Sequence, residues 1–145
     1  MFDLHHENRI ATLTLRHGKV NAMDLEFLET LRRQLDGLAN DSNVSVVILT
    51  TAGTTFSAGV DLKRLVAERL EYNDSFLPAI RQLFRAAFQF PKPLVGAIRG
   101  HALAGGCVLA TSRFLGNNNK TFIISFPRRI HLAPAAHGLI AGARR

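Results

Sequence analysis

Residues 54–63 read TTFSAGVDLK, and residues 96–107 read GAIRGHALAGGC. In both stretches small residues run directly into a helical pattern. The first amides of a helix have no acceptor within it, and the helix dipole adds partial positive charge there. Glycine and alanine let a ligand atom approach such backbone closely. Two turns of this kind, facing one another, supply two N–H groups to a single oxygen, which suits a carbonyl that gains negative charge during reaction. Spacing alone does not make the pattern distinctive, because glycines at helix entries also serve as plain turns. Neither stretch matches G-x-G-x-x-G or a P-loop, since no Lys-Ser/Thr follows the glycines. Ser57 is not set in a G-x-S-x-G elbow and has no evident base.

The flanks of these turns predict an α/β chain. Residues 9–15, RIATLTL, alternate apolar residues with Thr and read as a strand. RHGK is a polar turn. Leu25, Leu28, Leu31, Leu35 and Leu38 recur every three or four positions and form one face of a helix, capped by Asp24 or Asn21 and closed by Gly37 and the run NDSN. VSVVILT, residues 44–50, is a β-branched run suited to a buried strand. A helical pattern then carries Leu62, Leu65, Val66, Arg69 and Leu70. Another runs from about Ser75 to Phe90, with Phe76, Ile80, Leu83, Phe84, Ala87 and Phe88 on one side, until Pro91 and Pro93 stop it. LVGAI, residues 94–98, is a short strand, and GCVLA opens a further helix. The order β-α-β-α-α-β-α implies a layered sheet with helices on it. Beyond Ala110 the pattern weakens: SRFLGNNNKT is a polar turn, FIISF reads as a strand, and the rest resembles a tail.

Composition narrows the class. The chain has 145 residues, 47% hydrophobic and 20% charged, which fits one globular core and excludes a disordered segment. No apolar run approaches the ~18 residues that span a bilayer. The N-terminus carries Asp3 and Glu7 and lacks an apolar core, so no secretory signal is expected. One cysteine, Cys107, allows no intrachain disulfide and fits a reducing, cytoplasmic compartment; its apolar neighbours make it a small buried residue rather than a nucleophile. His5, His6, His131 and His137 form no metal-ligand pattern, and no metal is expected. His101 reads as a structural turn residue. The net charge is +7, yet residues 1–74 hold all 11 acids with 8 of the Lys/Arg, and residues 75–145 hold 10 Lys/Arg and no acid. Such asymmetry marks an anionic partner, ordinary variation of surface charge, or a C-terminal segment foreign to the fold.

TTFSAGVDLKRL and KPLVGAIRGHALAGGCVLA together resemble the two signature segments of the crotonase superfamily, the enoyl-CoA hydratase/isomerase group. HGKVNAMDLEFLETL followed by VSVVILT resembles it too, so the similarity covers roughly residues 9–110. It implies a crotonase-like ββα spiral core, incomplete here, over 1–110, with a divergent, irregular basic tail over 111–145. It also assigns roles. Val60, after the glycine of the first motif, gives one oxyanion amide, and Gly105, in Ala104-Gly105-Gly106, gives the other. Ala58, Asp61, Leu62 and Lys63 lie where the family holds the CoA part of an acyl-CoA. Lys63, Arg64 and Lys19 are candidates to meet CoA phosphates, although each taken alone reads first as a solvated surface charge. No cofactor is implied beyond the CoA of the substrate, and the family's usual assembly is a homotrimer.

The chain departs from that pattern at the proton-transfer groups that hydration of an enoyl thioester needs. Val108 stands where family hydratases carry one catalytic glutamate. Arg128, after Pro127 in FPRRIHL, stands where the second follows a proline. The chain is also shorter than family domains, and its acid-free end reads as a truncated or frame-shifted product. Whether it is an enzyme therefore stays open. The leading reading is an acyl-CoA-binding hydratase/isomerase-type protein with impaired catalysis. The alternatives are a non-catalytic CoA-thioester binder or interaction fragment, and a basic nucleic-acid-binding fragment. Against the last, the basic residues are scattered and no aromatic-basic recognition motif appears. Neither a nucleic-acid nor a membrane partner is expected.

Overall fold

The computed structural model describes residues 1–111 and 123–125. Strand β2 (Ile10–Leu15) buries Ala11, Leu13 and Leu15 and leaves Thr12 and Thr14 half-buried, as its alternation requires. Strand β1 (Phe2–Glu7), which the sequence reading leaves out, folds back antiparallel on β2. Parallel strands follow in the order β4 (Val46–Thr51), β7 (Leu94–Ile98) and β9 (Ile123–Ser125), giving a five-stranded sheet β1-β2-β4-β7-β9. The expected strand in FIISF is thus present as β9. The remainder of 112–145, with Arg128, His131, His137 and the predicted tail, lies outside the described residues.

Helix α1 (Leu25–Asn40) is capped by Asp24, whose Oδ1 accepts from the Phe27 amide at 2.8 Å. It buries Phe27, Leu28, Leu31, Leu35 and Leu38, each side chain worth about 1.5–3 kcal/mol on burial. Gly37 does not end the helix. It sits within the last turn, where a Cβ would meet nothing within 4 Å. Helix α3 (Arg69–Phe88) begins at Arg69 rather than near Ser75 and carries Pro78 inside it. Its inner face presents Phe76, Ala79, Leu83 and Ala87 to the core, and α1 and α3 pack against each other. Among the described residues, no helix is long and apolar enough to cross a membrane.

Between the long strands and the helices lie short strands that set the site. The chain runs three times from a long strand through a short one into a helix. The units are β2, β3 (Ala22–Met23) and α1; then β4, β5 (Thr55–Ser57), β6 (Gly59–Val60), α2 (Leu62–Ala67) and α3; then β7, β8 (His101–Ala102) and α4 (Gly105–Thr111). The short strands pair in parallel across units, β3 with β6 and β5 with β8. This is the ββα core that the resemblance implies.

Candidate functional site

The two small-residue turns are packed together. Leu103 donates its amide to Ser57 O at 2.9 Å, and His101 donates to Thr54 O at 3.1 Å. Gly59 has φ +86°, a bend that L side chains rarely adopt. A Cβ on it would lie 2.9 Å from the Ala104 Cβ, 2.9 Å from Leu103 O and 3.1 Å from Gly105 N. A Cβ on Gly106 would lie 2.5 Å from Ser57 O, and one on Gly100 only 1.8 Å from Thr54 O. The glycines are therefore needed because backbone from one turn runs against backbone from the other. Ala104 is itself left-handed, with φ 44°. It leads into α4, whose Gly106 amide donates to Leu103 O at 2.7 Å and whose Val108 amide donates to Ala104 O at 3.2 Å.

Two buried polar residues hold the first turn in shape. Ser57, fully buried, donates its hydroxyl to Asn21 O at 2.7 Å and accepts from the Gly59 amide at 3.1 Å. This structural role fits the absence of a nucleophile elbow. Asn21 is not the cap of α1. It is left-handed, φ 47°, and its Nδ2 donates to Thr51 Oγ1, Thr55 O and Phe56 O at 3.0–3.1 Å, while its Oδ1 accepts from the His17 amide at 2.6 Å. Its acceptors lie thirty to thirty-five residues downstream, so local spacing gave no sign of this role.

The predicted contact residues divide into two groups. Ala58, Val60, Asp61 and Gly105 are half-buried around the paired turns. Ala58 donates its amide to Val20 O at 2.9 Å, and Asp61 donates its own to Met23 O at 3.1 Å. The Asp61 carboxylate also caps α2 by accepting from the Arg64 amide at 3.1 Å. Leu62 and Lys63 are exposed, Leu62 by 70%. The helical pattern through Leu62, Leu65, Val66, Arg69 and Leu70 does not form one buried face. Helix α2 ends at Ala67, buries no residue, and leaves Val66 83% exposed; Arg69 and Leu70 belong to α3.

Charge near the turns is distributed unevenly. Lys19 stands with Arg16, Gly18 and Asn21 at the rim of a cavity of about 190 Å³. Arg16 is paired with Asp3. Arg64 is committed to carboxylates: Nη1 and Nη2 donate to the two oxygens of Glu26 at 2.5 and 2.8 Å, and Nε donates to Glu68 at 2.6 Å. It is thus not a free charge for a phosphate. The guanidinium holds the Glu26 carboxyl below its ordinary pKa, while Glu26 and then Glu68 raise that of Arg64. Burial pushes the Cys107 thiol up, and its Sγ donates to Ala102 O at 2.9 Å, which keeps it a packed thiol. Val108 is exposed by 38% on α4. Among the described residues, no group of three or more His, Cys, Asp or Glu is placed to hold a metal ion.

Residues 5–119 match the sequence profile described as enoyl-CoA hydratase/isomerase. The chain is 36% identical over 102 residues to a probable enoyl-CoA hydratase of Bacillus subtilis, covering 70% of this chain and 40% of that protein. It is 34% identical over 115 residues to human mitochondrial enoyl-CoA delta isomerase 1, covering 77% and 38%. The solved structure of human mitochondrial delta3-delta2-enoyl-CoA isomerase superposes with a TM-score of 0.74 at 31% identity, covering 77% of this chain and 44% of that one. The chain spans about 40% of the length of the curated relatives it matches.

Proposed function

Because the chain belongs to the enoyl-CoA hydratase/isomerase family, we propose that its paired glycine turns receive the thioester carbonyl of an acyl-CoA. The amides of Val60 and Gly105 serve as the two donors, and Ala58, Asp61, Leu62 and Lys63 border the CoA. The observation that carries this reading is the packing of Gly59 on Ala104 and Gly105, with Gly105 N 3.1 Å from where a Gly59 Cβ would stand. Backbone donors so fixed need no reorganisation as charge develops on the oxygen, and one donor of this kind contributes about 2.7–4 kcal/mol in acyl transfer. Lys19, at the rim of the cavity beside the first turn, offers positive charge to a CoA phosphate. No cofactor is invoked beyond the CoA that the substrate carries.

A second reading, a thioester binder without turnover, is favoured by Val108. This exposed side chain stands one helical turn beyond Ala104, where a hydratase of this family is expected to carry a glutamate. A positioned general acid or base contributes about 10²–10⁴-fold, so its replacement by an isopropyl group removes that factor from hydration. Calorimetric titration with a short enoyl-CoA, together with loss of the enoyl absorbance, separates the readings. Binding with turnover supports the enzyme, and binding without turnover supports the binder. Failure to bind overturns both.

A further inference from the structure

Helix α2 begins at the first turn and carries Leu62 and Lys63, yet none of its side chains is buried. A six-residue helix is far below the length at which an isolated helix persists in water, so something else holds it down. Leu65 is half-buried against the core. Asp61, the cap of α2, donates its amide to Met23 O, and the remaining attachment converges on Arg64, whose side chain is 30% exposed. Its guanidinium engages Glu26 in the first turn of α1 with both Nη atoms, and Nη1 lies 3.7 Å from the α1 cap Asp24. Its Nε bonds Glu68 at the α2–α3 junction. Its Cζ stands 5.0 Å from the ring centroid of Tyr72 on α3. Tyr72 is tied in turn to α1, accepting from the Leu25 amide at 2.9 Å. Asp24 is fixed on its other side by His17 Nε2 at 2.6 Å.

We infer that Arg64 is a positioning residue that pins α2 to the first turns of α1 and α3, and so sets where Leu62 and Lys63 meet the CoA. An isolated surface ion pair contributes little, but a bidentate arginine within a network is the recognised exception. Stacking on Tyr72 adds to it, and lysine cannot reproduce the planar fork. The consequence for CoA rests on the acyl-CoA reading above; the anchoring of α2 does not.

The experiment therefore has two arms. In the first, amide hydrogen exchange is followed in the ligand-free protein. Arg64→Met and Glu26→Gln should each raise exchange of residues 62–67 about tenfold, with α1 and the sheet unchanged, and Arg64→Lys should fail to restore protection. Unchanged protection of α2, or loss spread evenly over the whole chain, overturns the inference. In the second, wild type and Arg64→Met are titrated with an acyl-CoA and with the matching acyl-pantetheine thioester, which lacks the nucleotide. The variant should bind the acyl-CoA about tenfold more weakly and the pantetheine thioester equally well. Equal losses for both would show damage to the turns themselves and overturn the positioning role. If wild type binds neither thioester, the acyl-CoA reading fails while the exchange arm still decides the anchoring of α2.

Discussion

Gly59→Ala is the substitution that tests the paired turns most directly. At φ +86° an alanine is strained before any neighbour is considered, and left-handed backbone costs an L residue roughly 1–2 kcal/mol. The added methyl then lies 2.9 Å from both the Ala104 Cβ and Leu103 O, and 3.1 Å from Gly105 N. Two of those three neighbours are backbone atoms of the second turn, so no side-chain rotation relieves the clash. Overpacking of this kind costs typically about 1–3 kcal/mol. The two costs together give a loss of about 2–5 kcal/mol. With a urea slope near ~2 kcal/mol/M, the unfolding midpoint falls by roughly 1–2.5 M with little change in slope. Gly53→Ala is the control, since its Cβ would meet nothing within 4 Å and its φ is ordinary. If the turns instead move apart to admit the methyl, the stability loss shrinks and acyl-CoA affinity falls. A Gly59→Ala variant as stable as Gly53→Ala and with undiminished acyl-CoA affinity would refute the argument that contact between the turns builds the site.

Asn21→Ala removes a buried hub and leaves the Phe56 carbonyl and the His17 amide without their side-chain partner, while the Thr55 carbonyl keeps the Thr51 hydroxyl; a loss of about 2–6 kcal/mol is expected by chemical denaturation, because each such group left unsatisfied costs about 1–3 kcal/mol. Glu26 is held below its ordinary pKa of 4.5 by Arg64, so the unfolded chain takes up the proton more readily than the folded one. Its contribution is complete above pH 4.5 and fades as pH falls through the folded value; the stability gap between wild type and Glu26→Gln should narrow on acidification, and a gap that widens there would contradict the pairing. Leu62→Ser and Val66→Ser, at 70% and 83% exposure, should change the unfolding free energy by no more than about 0.5 kcal/mol. A loss beyond 2 kcal/mol (roughly that of a buried leucine) would mean that α2 packs its apolar face.

Helix α1 is legible because its signals are local. A capping Asp24 is followed by leucines at helical spacing, and the helix uses them as written. The strand β1 is not legible: FDLHHE alternates apolar and polar residues only through Phe2 and Leu4, and five of its six side chains are exposed. It is an edge strand fixed by backbone pairing with β2, which no residue pattern announces. Helix α3 starts earlier than the apolar spacing from Ser75 suggests, and it carries Pro78 in its interior, a position where proline is ordinarily disfavoured. The short strands are two or three residues long, and their pairing depends on partners in the next unit. Helix α2 misleads in the opposite way. Leu62, Leu65 and Val66 have the spacing of a buried face, but the helix is held by an arginine among carboxylates. The site's glycines were visible as small residues before helices. That Gly59, Gly100 and Gly106 each face backbone of the other turn required the fold to be known.

The pairing of the two turns also sets an order of events during synthesis. Gly59 leaves the ribosome well before Gly105, and at about 5–20 residues per second the interval is roughly 2–9 s. Until then the surfaces of Ala104 and Leu103 against which Gly59 packs do not exist. The left-handed bend at Gly59 rests meanwhile on the β3–β6 pairing and on the Ser57 hydroxyl, both available from upstream sequence. The upstream contacts of the first turn are thus on hand before the second is made, and β5 completes its pairing only when β8 closes on it.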